Sequence, residues 1–460
     1  MSENAIKTID QIVLNGGVKK APSGKLREAL ENIGRVDKSR NLDSLKELLG
    51  HETFSVRVLA IKNLAKAKDD SMTPLFIQAY ESDENSAVRR EAISAIGRQR
   101  RIENTSFLLS VLTDSDPKIV CQAIRALLVF KGEAEIDSRL RELRFSENEM
   151  IQQIIQKEYF SDKPSGKVKK RHTFVDEKLA NLVVQGDVLE VLKFVDDESV
   201  HLTFTSPPYY NARDYSTYSS YDVYLDFLEE VFEETYRITK EGRFLIVNTS
   251  PVIVPRISRA HSSKRYPIPF DLHSRLVDLG WEFIDDIVWK KPEYSVKNRI
   301  GGFQQHRKPL AYKPNSITEY LMVYRKSTDK LIDWNMRQYD NGVVEISKVL
   351  DGFETTNVWE IHPKADKIHS AIFPEELCFK VIEYYSYMGD LIFDPFAGSG
   401  TLGRVAKDSG RKFFMTEQEP KYVDYIRKSI DINNRSGENP TKFLKACDFC
   451  REVKNGNNSN

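Results

Sequence analysis

A short stretch of the sequence ends an apolar run with a hydroxyl group and two prolines. In HLTFTSPPYY the run stops at Ser206, and Pro207, Pro208 and Tyr209 follow. Because proline fixes φ and has no amide hydrogen, the segment should form a rigid loop that holds the Ser206 oxygen and main-chain carbonyls in place. Tyr209 adds a flat face on which a planar ring can stack. Acceptors beside an aromatic face suit the exocyclic amino group of a base.

A second segment has the residue types of a cofactor turn. DPFAGSGTLG begins at Asp394, and its residues Gly398 and Gly400 allow the backbone to turn close to a ligand. The next predicted strand, KFFMTE, ends in Glu417, where a carboxylate can accept hydrogen bonds from ribose hydroxyls. The sequence has no phosphate loop with a lysine, so the predicted nucleoside cofactor need not carry phosphates. The Asp394 carboxylate would stabilise a cationic group of the cofactor.

These segments lie in the part of the chain whose pattern predicts an α/β fold. From Phe174 onwards, apolar strand patterns alternate with helical patterns, which predicts a mainly parallel, doubly wound sheet. Ligands of such sheets bind at the carboxyl ends of strands, where the direction of the connections switches. Ser206, Asp394 and Glu417 all follow predicted strands and therefore fall at that edge.

The first third of the chain repeats about every 31 residues. Similar helical segments are centred on Ala60, Ala92 and Ala123, and weaker matches fall on Ala29 and Ile154. A pair of short amphipathic helices at this period indicates an α-solenoid that resembles short HEAT-like repeats over about residues 25–160. One role for the array is to stabilise or dimerise the protein. The other is to bind DNA or a partner protein on its concave surface. Candidate contacts for the second role are Arg57, Arg89, Arg90 and Arg125.

Bulk composition sets further limits. The chain has 68 basic and 68 acidic side chains and 40% hydrophobic residues, so a nucleic-acid surface must come from local clustering of charge. No apolar run approaches the roughly 18 residues that span a bilayer, and the start lacks a signal-peptide pattern. Four cysteines without a disulfide framework favour a reducing cytoplasm.

Taken together, TSPPY and DPFAGSGT resemble the beta-class DNA amino-methyltransferases of restriction–modification systems. QGDVLEVL before the first motif and HSAIFPEEL (His369–Leu377) before the second agree with that class, as does the order of the two motifs. The resemblance covers about residues 174–432. It implies a seven-stranded methyltransferase sheet entered at its third strand, with S-adenosylmethionine as cofactor and no metal.

The resemblance also assigns roles to single residues. The catalytic residues would be Ser206, Pro207, Pro208 and Tyr209. Glu417 would hold the ribose, Asp187 would meet the adenine amino group, and Phe373 and Pro374 would pack against the cofactor. The methionine side would be lined by Asp394, Phe396, Gly398, Gly400 and Thr401.

The predicted substrate is duplex DNA, methylated on the exocyclic N4 of cytosine. In this class Ser-Pro-Pro-Tyr goes mainly with cytosine N4, and adenine N6 is the alternative. Methylation at cytosine C5 needs a thiolate beside a proline, and no cysteine has that position. A cognate restriction endonuclease or a protein bound by the repeats would be a further partner. Two other readings are a binding scaffold with an inert methyltransferase-like domain, and a methyltransferase acting on RNA or protein.

The sequence predicts four segments. Residues 1–160 form the solenoid, 161–172 a basic linker or DNA-touching arm, 173–435 the catalytic domain and 436–460 a flexible tail. Cys447 and Cys450 in that tail supply only half of a structural zinc site, which needs four ligands. Two stretches are candidates for DNA contact: the basic segment Val296–Pro314, and residues 327–358, where the family keeps its target-recognition region.

Overall fold

The computed structural model of this protein describes most of the chain. The described residues are 2–16, 18, 21–34, 42–160, 172–210, 218–254, 258, 260, 264–296, 309–310, 315–349, 352–363, 373–431 and 440–457. The chain divides into two compact units, Met1–Gly166 and Lys167–Asn460. Most of the basic linker, residues 161–171, most of the basic segment Val296–Pro314, and His369–Ile372 lie outside the described residues.

The first unit is built from helices joined by short turns, several of which are 3₁₀ turns. Its α-helices are α1 (Ser2–Gly16), α2 (Ser23–Glu31), α3 (Asp43–Glu47), α4 (Phe54–Leu64), α5 (Thr73–Ser82), α6 (Ser86–Gln99), α7 (Thr105–Ser110), α8 (Pro117–Leu127), α9 (Ala134–Glu142) and α10 (Glu149–Ile155). The helices α2, α4, α6, α8 and α10 carry the 31-residue period.

Small buried side chains let these equivalent helices stack. Ala60, Ala92 and Ala123 are fully buried, and Ala29 is 8% exposed. The turn before the last three of these helices also repeats, since Asn85, Asp116 and Asn148 each accept an amide hydrogen bond at the start of the following helix. The repeat read from the sequence is therefore a repeat of both packing and capping.

Carboxylates in the turns tie neighbouring repeats together. Asp83 accepts two hydrogen bonds from the Arg57 guanidinium, at 2.7 and 2.8 Å. One repeat later, Asp114 pairs with Arg89 at 3.5 Å and accepts the Tyr80 hydroxyl at 2.9 Å. Arg57 and Arg89 are thus used inside the solenoid, and they are poor candidates for contacts with DNA.

The second unit is a three-layer α/β arrangement. Its strands and helices are β1 (Leu182–Gln185), α11 (Val188–Leu192), β2 (Val200–Thr205), α12 (Tyr221–Ile238), β3 (Thr239–Thr249), β4 (Val252–Val254), β5 (Lys264–Tyr266), α13 (Ile268–Asp278), β6 (Trp281–Lys290), β7 (Thr318–Lys326), α14 (Asn341–Ile346), β8 (Val358–Glu360), α15 (Glu375–Tyr385), β9 (Leu391–Asp394), α16 (Thr401–Asp408), β10 (Lys412–Glu417), α17 (Pro420–Ser429), β11 (Lys442–Lys445) and α18 (Ala446–Asn457).

The main sheet has the order β11-β1-β10-β9-β2-β3-β7-β6-β8. Only β7 runs antiparallel to its two neighbours, as the mainly parallel prediction allows. The described sheet has nine strands and not the predicted seven, because β11 and β8 extend its two edges. The chain moves one way from β2 and the other way from β9, so the switch point lies between these adjacent strands.

The carboxyl-terminal segment is ordered where we expected a flexible tail. Strand β11 pairs in parallel with β1, and α18 places Phe449 in the core with 2% exposure. Gly186 makes room for this segment, because a Cβ on it would lie 2.6 Å from the Ala446 Cβ. The predicted tail is therefore wrong for residues 440–457, which complete the sheet.

The stretch predicted to hold a target-recognition region mostly lies at the wrong edge of the sheet. Because β7 is antiparallel, the chain leaves it at the amino ends of the parallel strands. There Asn335 donates to the Gly242 carbonyl at 2.9 Å, and the Tyr339 hydroxyl donates to Asp390 at 2.5 Å. Residues 327–349 therefore cover the edge opposite to Ser206, and the prediction is wrong for them.

Candidate active site

A cleft opens at the switch point, at the carboxyl ends of β1, β2, β9 and β10. It has a volume of about 160 Å³. Eight of the residues selected from the sequence line it, namely Asp187, Ser206, Pro207, Pro208, Tyr209, Phe396, Gly398 and Glu417. The two motifs are therefore neighbours in space, although about 190 residues separate them in the chain.

The glycine-rich turn forms one wall of the cleft and is held by Glu417. The Gly398 amide donates to Glu417 Oε2 at 2.7 Å, and the Glu419 amide donates to Oε1 at 2.8 Å. Gly400 takes φ +73°, and a Cβ on it would lie 2.8 Å from Ile426 Cγ1. Burial raises the pKa of the Glu417 carboxyl. The turn thus presents a partly desolvated carboxylate at the end of β10.

Asp394 lies behind this turn at the end of β9 and is 2% exposed. Its Oδ1 accepts the Thr205 hydroxyl at 2.7 Å and the Phe396 amide at 3.1 Å. Burial, with the Glu417 charge nearby, raises the pKa of Asp394 to about 7 despite these two hydrogen bonds. Within the part of the chain that the structure describes, no lysine or arginine forms an ion pair with Asp394 or Glu417, so a positively charged ligand would stabilise these two carboxyls.

The remaining selected residues differ in their relation to the cleft. Asp187 caps α11, accepting the Leu189 and Glu190 amides with Oδ1 at 2.9 and 3.2 Å. Phe373 stacks on Phe204 with ring centroids 4.6 Å apart and is not part of the cleft lining. Pro374, Gly400 and Thr401 also lie outside the lining, at the starts of α15 and α16.

The loop after β2 meets a polar group contributed by β3 and β7. The Tyr209 hydroxyl donates to Glu319 Oε2 at 3.1 Å, and the Asn248 amide nitrogen donates to the same oxygen at 2.7 Å. The same Asn248 nitrogen lies 3.4 Å from the Ser206 hydroxyl. Burial first, and the Glu319 charge second, hold the pKa of Tyr209 well above its usual range. Tyr209 is therefore a neutral hydrogen-bond donor.

Lys291 balances the charge of this polar group. Its ammonium contacts Glu319 Oε1 in a pair whose side chains are 18% and 16% exposed. The Glu319 carboxylate fixes the orientation of the Asn248 amide, because only the NH₂ side can face it. Among the described residues, the buried Asn248 Oδ1 has no hydrogen-bond partner. The Asn248 side chain, which contacts Ser206, therefore has an oxygen that can accept a further hydrogen bond.

Sequence reasoning did not select Asn248, Glu319 or Lys291. Asn248 lies near the carboxyl end of β3, which is a detectable signal, but Glu319 begins an antiparallel strand and reaches this edge only through the sheet register. The further cleft-lining residues are Gly186, Val188, Tyr218, Phe227, Pro395, Gln418, Glu419 and Tyr422. No set of three or more His, Cys, Asp or Glu side chains suited to a metal ion occurs in the described ranges.

Comparison with known proteins places this geometry in a family. Residues 200–428 match the family described as DNA methylase, of the N6 and N4 type, and residues 73–144 match HEAT repeats. The type II methyltransferase M.Cfr9I of Citrobacter freundii is 30% identical over 55% of this chain and 87% of its own length. The chain belongs to this methylase family. This confirms two predictions from the sequence: an α/β methyltransferase fold that follows helical repeats along the chain, and S-adenosylmethionine as the cofactor.

Other relatives are longer or match with lower identity. The type II beta methyltransferase M.BslI of a Bacillus species is 25% identical over 70% of this chain, but the match spans only 36% of M.BslI. Protein TTHA0409 of Thermus thermophilus, whose structure was determined with S-adenosyl-L-methionine, is 26% identical over 57% of this chain and 97% of its own, with a TM-score of 0.46. No helix in the described part of the chain is long and apolar enough to cross a membrane.

Proposed function

We propose that this protein is a site-specific DNA methyltransferase of a restriction–modification system, and that its product is N4-methylcytosine in duplex DNA. The observation that carries the proposal is the position of Ser206 and Tyr209 at the mouth of a cleft that Gly398 and Glu417 also line. This arrangement brings an amino-group site next to a cofactor site, within the methylase family.

The cofactor side of the cleft holds S-adenosylmethionine. Glu417 accepts hydrogen bonds from the ribose, Asp187 lies where the adenine amino group would be held, and Asp394 supplies negative charge behind the turn. The two desolvated carboxyls fit a cation, and the glycine turn gives backbone access. When bound, the cofactor supplies a methyl group on a positively charged sulfur.

On the base side, this chain positions an amino group that is a poor nucleophile. The base must leave the duplex to reach the loop, which costs a few kcal/mol. Stacking on Tyr209 would recover about 1–3 kcal/mol of that cost. The Ser206 hydroxyl and the carbonyls of the proline segment accept the amino protons and direct the nitrogen lone pair towards the cleft. Positioning and electrostatics therefore account for the catalysis.

Cytosine is favoured over adenine because Ser-Pro-Pro-Tyr goes mainly with cytosine N4, and Asp-Pro-Pro-Tyr mainly with adenine N6, in the class that the sequence resembles. Ser206 is uncharged and its hydroxyl both donates and accepts, so it tolerates the ring acceptor beside the amine of cytosine. Glu319 is the nearest carboxylate contacting Tyr209 and Asn248, and its charge is balanced by Lys291. A product of N6-methyladenine is the second candidate, because the same pocket geometry admits a purine.

Labelled cofactor identifies the product directly. The protein is incubated with duplex DNA and S-adenosylmethionine labelled in the methyl group, and the nucleosides are analysed by mass spectrometry. Label in N4-methylcytosine is the expected result. Label only in N6-methyladenine would make the choice of base wrong and leave the family and cofactor unaffected. Label in RNA or peptide but not in DNA would reject the proposed substrate.

The variant Ser206→Ala tests the catalytic loop. Loss of one hydrogen bond that strengthens in the transition state lowers the rate by about 10²–10³, while S-adenosylmethionine affinity stays the same. The control is Ser274→Ala, which removes an exposed helical hydroxyl that donates to the Asp271 carbonyl. Turnover of Ser206→Ala at the rate of this control would reject the assignment, and so would an inert wild-type protein that binds the cofactor.

A further inference from the structure

The solenoid carries a basic groove that none of the sequence motifs selected. The groove lies between the carboxyl ends of α4 and α6 and has a volume of about 670 Å³. Its charged lining consists of four cations and one carboxylate, Lys66, Lys68, Arg98, Arg100 and Asp70. The single acid already pairs with Arg101 at 2.7 Å.

The free positive charge of the groove comes from Lys68 and Arg100, which are exposed at the ends of the helices. The other two cations are engaged within the solenoid. Lys66 Nζ donates to the Ile33 carbonyl at 2.6 Å and to Asn63 Oδ1 at 2.8 Å, and desolvation, with the nearby charges of Lys62 and Arg98, lowers its pKa. Arg98 pairs with Glu91.

The backbone at two of these cations gives a second, independent observation. Lys68 and Arg100 occupy equivalent positions in successive repeats, and both take the left-handed conformation, with φ +52° and +51°. Glycine or asparagine is the usual residue at such a helix end, since a longer side chain costs on the order of 1 kcal/mol there. Two successive repeats thus place a long cation where the backbone favours a small residue.

The spacing of the groove suits a polyanion with a regular repeat. Packed helices lie about 8–10 Å apart, so one repeat step corresponds to roughly two to three base-pair rises of 3.4 Å along the DNA axis. The neighbouring amide of Gln99 is engaged, because its Oε1 accepts from Thr73 and from Asn104 at 2.8 and 3.0 Å. Lys131, at the equivalent position of the next repeat, is paired with Glu158.

We propose that this groove binds the phosphate backbone of duplex DNA and adds a sequence-independent contact between the solenoid and the substrate. The inference rests on the proposed function in one respect, since it takes duplex DNA to be the substrate. It assigns the repeats a part in substrate binding, beyond a role in stability or dimerisation.

The test compares two double variants of the full chain. Lys68→Asn/Arg100→Asn removes two groove charges and puts a residue that tolerates positive φ at both sites. Lys25→Asn/Lys118→Asn removes two exposed charges near the amino ends of α2 and α8, so the net charge changes equally. Binding of a fluorescent duplex of arbitrary sequence is measured by anisotropy between 50 and 200 mM salt.

The groove variant should bind DNA roughly 10- to 60-fold more weakly at 0.1 M salt, and the slope of log affinity against log salt should fall by about 1.8. The control variant should keep the wild-type slope. The melting temperature of the groove variant should equal or exceed that of the wild type, whereas a merely structural role of the cations would lower it and leave the slope unchanged. Equal slopes for the two variants would overturn the proposal.

Two further measurements distinguish this inference from binding of an acidic protein and from the proposed function. If the groove residues control binding of polyglutamate but not of DNA, the groove binds an acidic protein and the proposal is wrong. A wild-type protein that transfers no methyl group to DNA, but whose salt slope depends on Lys68 and Arg100, would reject the proposed function and support the groove.

Discussion

At the scale of single residues, Asp394 should make cofactor binding depend on pH. Burial raises the pKa of Asp394 to about 7 in the free protein, and a cationic ligand favours its ionised form. Below about pH 7 the carboxyl is protonated, so binding must release a proton. Affinity for S-adenosylmethionine should therefore fall by up to about tenfold per pH unit below pH 7 and level off above it. Calorimetry between pH 5.5 and 8.5 measures this dependence.

Two variants separate Asp394 from the other acid in the cleft. Asp394→Asn should flatten most of the pH dependence. Glu417→Ala should weaken binding by about 1.5–3 kcal/mol, because the ribose loses a charged acceptor. Glu417→Gln should lose less, since its amide oxygen can still accept the Gly398 amide. A wild-type affinity that stays constant across this pH range would contradict the role of Asp394.

Glu319 is a positioning residue that should affect turnover and not cofactor binding. Its carboxylate orients Tyr209 and Asn248 while balancing Lys291. Glu319→Gln leaves the Lys291 charge without its partner, so we expect kcat to fall by about 10–100-fold at an unchanged cofactor Kd. Adding Lys291→Met should restore part of the rate. Equal losses in the single and double variants would show that the charge balance is not the reason.

The chemistry predicted from the sequence was limited to residues at strand ends. Ser206 and Glu417 could be found because an apolar run stops at each of them. Glu319 could not, because it belongs to the site only through the antiparallel register of β3 and β7, which places Asn248 beside Leu321. That register depends on contacts between residues about 70 positions apart, and local patterns do not contain it.

At the scale of elements, the added strand β11 and helix α18 should be essential to the second unit. Phe449 is 2% exposed and packs with Phe414, their ring centroids 6.3 Å apart. Phe449→Ala should lower the free energy of unfolding by about 3–5 kcal/mol, because it leaves a cavity between helix and sheet. Urea unfolding measures the change, and Phe379→Ala, at a side chain that is 44% exposed, is the control. Equal stability of these two variants would mean that α18 does not support the sheet.

Strand β11 could not be predicted from the sequence for a physical reason. KFLK has four residues with a lysine at each end, and its central Phe443 and Leu444 are only half-buried. Such a pattern is common in loops, and only pairing with β1 makes it a strand. The helical repeats were predicted more completely, since four of them repeat the same buried alanine and the last three the same type of cap. Elements with a regular local pattern could therefore be predicted from the sequence. Edge strands that form only by pairing with a distant part of the chain could not.

At the scale of the whole molecule, the two units should unfold independently. Asp83→Ala removes the carboxylate that binds Arg57 between two repeats, and we expect it to destabilise the first unit by about 1–3 kcal/mol. All four tryptophans, Trp281, Trp289, Trp334 and Trp359, belong to the second unit. Circular dichroism at helical wavelengths should show an earlier transition, while tryptophan fluorescence keeps its wild-type midpoint.

The exposed carboxylate Glu142, which pairs with Arg139 at 3.5 Å, provides the control for that measurement. Glu142→Ala should change neither transition by more than about 0.5 kcal/mol. A shift of the fluorescence midpoint in Asp83→Ala would show that the units are coupled. S-adenosylmethionine affinity should be the same in both variants, because both changes lie in the first unit.

The contact between Thr205 and Asp394 also bears on when the cleft can form during synthesis of the chain. A ribosome makes the catalytic loop about 190 residues before the strand that faces it, so the chain carries Ser206 for many seconds without a cofactor turn. The first unit is complete by Gly166 and should be able to fold while the rest is being made. A newly made chain should therefore acquire its helical repeats early and its cofactor cleft only after the last strands emerge. Pulse-labelled chains released at different lengths would bind S-adenosylmethionine only when they extend beyond β10.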